Sequence, residues 1–198
     1  KVRNLANKKN IVLIFDECTS GFRQSFGGLH KNLKIIPDIV ILGKALGNGY
    51  AITAILGKES VMEGAKKSFI SSTFWTERIG PTAALKTLEV MEKEKTWEQI
   101  TTLGNKLIKI WKRLSKKHKI KLSITGLPSL AKFTIISENS RAYKTFISQE
   151  MLKKGFLAAN GVYMSIAHNQ KILDRYANNL DEIFHKISEC EKDKLNIN

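Results

Sequence analysis

The chain has 198 residues, 42% of them hydrophobic, and its 33 Lys and Arg against 18 Asp and Glu give a formal charge of +15. No apolar run reaches the roughly 18 residues of a membrane span, so no segment reads as a membrane helix. The two cysteines, Cys18 and Cys190, are far apart and predict free thiols in a reducing compartment, which favours a cytoplasmic location.

The charge is uneven, with 15 cationic against 10 anionic side chains in residues 1–99 and 18 against 8 in residues 100–198. Its densest run, 112–121, falls at a predicted helix end, where cations complement the helix dipole, and it lacks the interleaved aromatics of a single-strand-binding surface. A basic nucleic-acid-binding scaffold is therefore only the rival reading. The chain opens on Lys1-Val2-Arg3 without an initiating methionine, on what reads as the approach to a core strand, so it is expected to be a portion of a longer protein.

Ile11 to Phe15 is an apolar run closed by Asp16-Glu17, which predicts a buried strand of a parallel sheet with Asp16 at its carboxyl end. In open α/β sheets ligands bind at that edge. A loop over 20–36 follows. Arg23 within it either meets an anionic substrate or neighbouring subunit, or clamps the loop through carbonyls. None of His30, His118, His168 and His185 has a companion ligand at metal-binding spacing, so no metal site is expected. After Pro37, Asp38 to Leu42 predicts a second strand that delivers Gly43-Lys44 to the same edge as Asp16. The glycines at 43, 47 and 49 lack the order of a Walker phosphate loop.

A lysine becomes nucleophilic when its ammonium is desolvated or set beside another cation. A carboxylate on the next strand can keep a pyridinium nitrogen protonated, so Asp16 with Lys44 is the pair that pyridoxal phosphate chemistry requires.

A third strand is predicted over 51–57 and a short helix from Lys58. Ser72 and Thr73 precede a helix over 79–94, where hydroxyls either cap the helix or bind a phosphate oxygen; Ala83, Ala84, Leu85, Leu88 and Met91 give that helix its packing face. From Trp97 to Lys117, Trp97, Ile100, Leu103, Leu107, Ile110, Trp111 and Leu114 form one helical stripe. Strands over 121–125 and 130–136 flank a turn, with Lys132 and Thr134 facing away from Ala131 and Phe133. A helix over 141–154 ends at Gly155, a loop and strand follow over 156–165, the last helix runs over 169–191, and residues 192–198 are expected to fray.

Asp16-Glu17-Cys18-Thr19-Ser20-Gly21-Phe22-Arg23, then Pro37-Asp38-Ile39, then Gly43-Lys44-Ala45-Leu46-Gly47-Asn48-Gly49, resemble the class III aminotransferases, the fold type I group that includes glutamate-1-semialdehyde aminomutase. The resemblance covers essentially the whole chain. It implies an α/β fold of the pyridoxal-phosphate-dependent transferase type: residues 1–96 as part of a large domain with a parallel-rich sheet, 97–118 as a connecting helix and 119–198 as a small α+β domain. It further implies pyridoxal 5'-phosphate as cofactor, with Lys44 as the Schiff-base lysine and Asp16 as the partner of the ring nitrogen. Cys18 stands where the family usually packs a valine on the ring, and Thr19 where several members carry a glutamine near the ring hydroxyl. Thr73, with Ser72 beside it, resembles the threonine that reaches the cofactor phosphate of the partner subunit. The substrates implied are a small-molecule amino donor and a carbonyl acceptor, and the assembly implied is a homodimer with a shared active site. The bulky stretch Ser72-Thr73-Phe74-Trp75-Thr76-Glu77-Arg78 favours an aminotransferase over the mutase, whose intramolecular amino transfer is the alternative.

Overall fold

The computed structural model describes residues 1–71, 73, 74 and 76–192. The chain divides into two compact units, Lys1–Glu98 and Gln99–Asn198. The first begins with helix α1 (Val2–Lys9) and contains a three-stranded sheet of order β1 (Ile14–Asp16), β2 (Ile39–Leu42), β3 (Ala54–Gly57). β1 and β2 are parallel, with Ile14 opposite Ile39 and Asp16 opposite Ile41, whereas β3 returns antiparallel to β2. Helix α2 (Glu59–Met62) is a single turn, and α3 (Ile79–Glu94) packs along the sheet. Val40 and Leu42, on one face of β2, are buried with Phe22, Leu46 and Ala84, and Leu88 and Met91 of α3 pack against them. Leu85, expected on that face, is 70% exposed, because it lies one residue past Ala84, about 100° around the helix.

The expectation of a buried strand over 11–15 needs correction. The strand is Ile14–Asp16, and Ile14 is 51% exposed. Among the described residues β1 is the sheet's edge, with β2 as its one neighbour.

Asp38 ties the ends of this sheet together. Its buried carboxylate accepts from Lys58 Nζ (2.8 Å) beyond β3, from the Leu13 backbone N–H (2.8 Å) before β1 and from Arg3 Nη1 (2.7 Å) of α1. The Lys58 hydrogen bond, followed by those of Leu13 and Arg3, holds its carboxyl far below the ordinary carboxylate range. A depressed folded-state pKa contributes stability that is present above the unfolded value and is lost as pH falls through the folded one. Asp38→Asn therefore lowers the melting temperature at neutral pH, and its deficit against wild type narrows as the solution is acidified below the normal aspartate range. Parallel melting curves at every pH would contradict this role.

The second unit is built on α4 (Thr96–His118), β4 (Leu122–Thr125), β5 (Lys132–Ile135), α5 (Ser140–Lys153) and α6 (Gln170–Cys190). The expected stripe of α4 is present: Ile100, Leu107, Trp111 and Leu114 are buried in one core with Phe133, Ile147, Leu180 and Phe184. β4 and β5 are antiparallel; Ala131, Phe133 and Ile135 face the core while Lys132 and Thr134 face out. α6 is capped by Asn169, whose side-chain oxygen accepts from the Ile172 backbone N–H at 3.0 Å. Where a loop and strand were expected over 156–165, the chain forms an irregular extended segment with a single bridge, Lys132 to Gly161. Three backbone bonds fasten it: Phe133 N–H to Asn160, Val162 N–H to Ala131 and Met164 N–H to Ser129. The basic run at the end of α4 is partly neutralised, since Lys117 and His118 both reach Asp181 of α6 at 2.5 Å. Residues 193–198 of the expected frayed tail lie outside the described residues.

Candidate active site

The site lies in the first unit, at the carboxyl edge shared by β1 and β2. Asp16 ends β1 opposite Ile41, so the chain leaving β2 places Gly43 and Lys44 beside it. Gly43 leads into a 3-10 turn, Lys44–Leu46. A side chain on Gly43 would press on Thr53 at 3.2 Å and on the Cys18 sulfur at 3.3 Å, so the bare backbone lets the Asp16 loop close on the Lys44 turn. Lys44 has φ +45°, in the left-handed region that non-glycine residues seldom occupy. Its Nζ donates to the Thr19 hydroxyl.

Asp16 and Lys44 are both exposed, and Cys18 and Thr19 are half-buried between them in sequence. Asp16 Oδ1 accepts from the Cys18 backbone N–H at 3.1 Å. Burial pushes the Cys18 thiol up, its hydrogen bond to Asp16 and that carboxylate's charge push the same way, and the Lys44 cation pulls against them. Cys18 is thus joined to Asp16 by its backbone N–H, and Gly43 brings the Lys44 turn against its sulfur.

Glu17 was not singled out from the sequence. It alternates to the opposite side of the strand end from Asp16 and is buried. Its carboxylate accepts from the Leu29 N–H, from the His30 N–H at 3.0 Å and from Ser20 Oγ at 3.3 Å, and it meets His30 Nδ1 at 2.6 Å. Burial alone would raise its pKa, but the hydrogen bonds from His30 and Leu29 outweigh it and hold the carboxyl below its ordinary value. A side chain on Gly28 would fall 2.2 Å from His30 Nδ1 and 2.6 Å from Glu17 Oε1, so the pairing of His30 with Glu17 demands the glycine. An acid directly after a strand-end acid, with a glycine and a histidine in the following loop, was the available signal. His30 thus has a carboxylate companion, yet among the described residues no group of three metal-ligating side chains exists. Arg23 follows the clamping alternative: its Nε donates to the Thr19 carbonyl at 3.4 Å.

A cleft of about 930 Å³ is lined by Lys44, Tyr50, Thr53, Met62, Phe74 and Glu77 among others, and its lining includes neither Asp16 nor Cys18. Such a volume lies at the upper end of small-molecule and cofactor sites. Thr73 lies in an exposed turn beside Phe74 but does not itself line the cleft, and Ser72 lies outside the described residues.

The family described as Aminotransferase class-III matches residues 1–187. The 3-aminobutyryl-CoA aminotransferase of Cloacimonas acidaminovorans is 35% identical over 176 residues, 88% of this chain and 42% of that protein. A glutamate-1-semialdehyde 2,1-aminomutase of Natranaerobius thermophilus is 26% identical over 207 residues, 95% of this chain and 48% of that protein. Among solved structures, the pyridoxal phosphate internal aldimine form of the FumI protein of Sphingopyxis sp. superposes with TM-score 0.86 at 22% identity, covering 96% of this chain and 46% of that one. An omega-transaminase from Sphaerobacter thermophilus does so with TM-score 0.82 at 21% identity, covering 95% and 47%. These likenesses show the fold, that of the fold type I transaminases. The chain spans less than half the length of the curated relatives it matches.

Proposed function

The chain belongs to the class-III aminotransferase family, and from that premise we propose that the protein moves an amino group from a small-molecule amine to an aldehyde or ketone with pyridoxal 5'-phosphate as cofactor. The observation that carries this reading is the carboxyl edge of β1 and β2, where parallel pairing brings Asp16 and the Gly43-Lys44 turn together, with Cys18 bonded to Asp16 through its backbone N–H.

The residues fit the group. Lys44 offers an exposed primary amine for the cofactor aldehyde, Asp16 an exposed carboxylate for the ring nitrogen, and Cys18 a sulfur to pack on the ring; Thr73 and Ser72 are proposed for the phosphate of a partner subunit's cofactor. When bound, pyridoxal phosphate supplies an aldehyde that captures the donor amine and a ring that spreads the charge left by a lost α-proton. Asp16 holds the proton on the ring nitrogen, which makes that spreading possible. Once displaced by the donor, the Lys44 amine takes the α-proton and returns it, acting as general base and then general acid. The Glu17 contacts keep the loop after Asp16 in place during these transfers.

Residues 1–96 are assigned to the large domain, 97–118 to the connecting helix and 119–198 to the small domain. The protein is read as a cytoplasmic homodimer whose sites are shared, a reading that the exposed Phe69, Ile70 and Phe74 support. Intramolecular amino transfer is the second reading, favoured by the 26% identity to glutamate-1-semialdehyde aminomutases. It needs the same residues but no external amino donor.

The test uses the full-length protein. Incubation with pyridoxal phosphate, borohydride reduction and peptide mapping should place the phosphopyridoxyl group on Lys44, and Lys44→Ala should remove it. A label scattered over surface lysines and indifferent to Lys44→Ala would defeat the reading.

A further inference from the structure

Lys44 presents its amine from an unusual backbone. Its φ of +45° is left-handed, and Gly43 before it is confined between Thr53 and Cys18. An exposed lysine ordinarily samples many rotamers. Here the Nζ instead donates to the hydroxyl of Thr19, 25 residues earlier in the chain. Thr19 is itself held, because Arg23 Nε donates to its carbonyl at 3.4 Å and the next residue, Ser20, is bonded to the buried Glu17 at 3.3 Å.

We propose that Thr19 is the positioning residue of the reactive amine, its hydroxyl keeping Lys44 Nζ at the edge that carries Asp16 and Cys18 in both protonation states. A hydroxyl has one proton and two lone pairs. It accepts from the ammonium form, and by rotating it donates to the lone pair of the neutral amine. Lysine must pass between these two forms each time it carries a proton, so a partner that serves both holds the amine through the whole cycle. A carboxylate in that place would favour the ammonium alone, and an apolar side chain would serve neither form. This inference rests on the reading of Lys44 as the cofactor-binding lysine, but its first test needs no cofactor.

In the cofactor-free full-length protein, reductive methylation with formaldehyde at one fixed pH, read lysine by lysine by mass spectrometry, gives Lys44 its own rate. Lys58, tied to Asp38, serves as internal reference. Thr19→Val removes the hydroxyl at nearly constant volume. Without the hydroxyl the amine is held in neither form and its lone pair is no longer engaged, so Lys44 is methylated several-fold faster while Lys58 is unchanged, and Thr19→Ser restores the wild-type rate. In the cofactor-loaded protein Thr19→Val lowers kcat roughly ten-fold or more with little change in KM, because the lost contact acts on proton transfer after the substrate has bound. Identical Lys44 methylation rates in wild type and Thr19→Val would overturn the proposal. So would a change shared by Lys58, or one that Thr19→Ser fails to reverse. Should Thr19→Val not fold, Thr19→Ala against Thr19→Ser makes the same comparison. Cofactor labelling of some other lysine would defeat the parent reading and leave this result standing.

Discussion

Lys44→Ala in the full-length protein is expected to lower amino transfer by about a thousand-fold or more, the combined loss of the nucleophile and of a general base and acid. The fold should not register the change. Lys44 is exposed, and its side-chain amine bonds only the Thr19 hydroxyl among the described residues, so unfolding free energies of variant and wild type should agree within about 0.5 kcal/mol. Alanine keeps the left-handed backbone cost that lysine already carries at φ +45°, so that contribution cancels. Lys44→Arg sharpens the test. Arginine preserves the cation yet cannot release a proton at any working pH, so a role in proton transfer predicts that it is as inactive as alanine. A small added amine should restore part of the rate to Lys44→Ala by carrying the proton in place of the missing side chain. An active Lys44→Arg, or a large fall in stability accompanying the loss of rate, would place Lys44 in the architecture instead of the chemistry.

The edge at which Asp16 and Lys44 stand was legible because both of its signals are local. An apolar run closed by Asp16 and a second closed by Gly43-Lys44 read as strands wherever they pair, and parallel pairing brings their ends together, as the register of Asp16 with Ile41 shows. What the sequence concealed depended on partners. Ile11 to Phe15 reads as buried, but among the described residues β1 has β2 on one side only, and composition does not report how many neighbours a strand has. Glu17 escaped notice because its work is done by hydrogen bonds to Leu29 and His30 across a loop whose course no periodicity encodes. Thr19 was read for what it replaces in a family pattern, whereas its contact with Lys44 joins residues 25 apart and depends on how two loops meet. The helices of the second unit were more transparent, since a stripe such as Ile100, Leu107, Trp111 and Leu114 names its buried face without reference to any partner. The strand expected within 156–165 failed for the opposite reason. Its residues are extended, but Asn160 spends its side-chain amide on the Phe133 carbonyl at 2.8 Å and only one bridge forms.

Among the described residues Trp111 is the largest fully buried side chain. It is fully buried, meets Phe133 edge to face with ring centroids 4.9 Å apart, and donates its indole N–H to the Tyr176 hydroxyl at 3.0 Å. Burial pushes the Tyr176 phenol well above its normal pKa, and the bond from Trp111 opposes that push. Two substitutions separate packing from the hydrogen bond. Trp111→Ala removes an indole from a core with no solvent access and should cost about 3–5 kcal/mol, transfer and cavity together. Trp111→Phe retains most of the apolar contact but leaves the Tyr176 oxygen without its donor inside the core, for about 1–3 kcal/mol. Chemical denaturation followed by far-ultraviolet circular dichroism reads both. The paired substitution Trp111→Phe with Tyr176→Phe then decides the cause. If the unsatisfied hydroxyl carries the cost of Trp111→Phe, removing it should recover stability, because an apolar pair leaves no buried polar atom unpaired. If the double variant is as unstable as the sum of the single ones, the contribution of Trp111 lies in the shape of its ring against Phe133, and the bond to Tyr176 only fixes the orientation of α6 on α4.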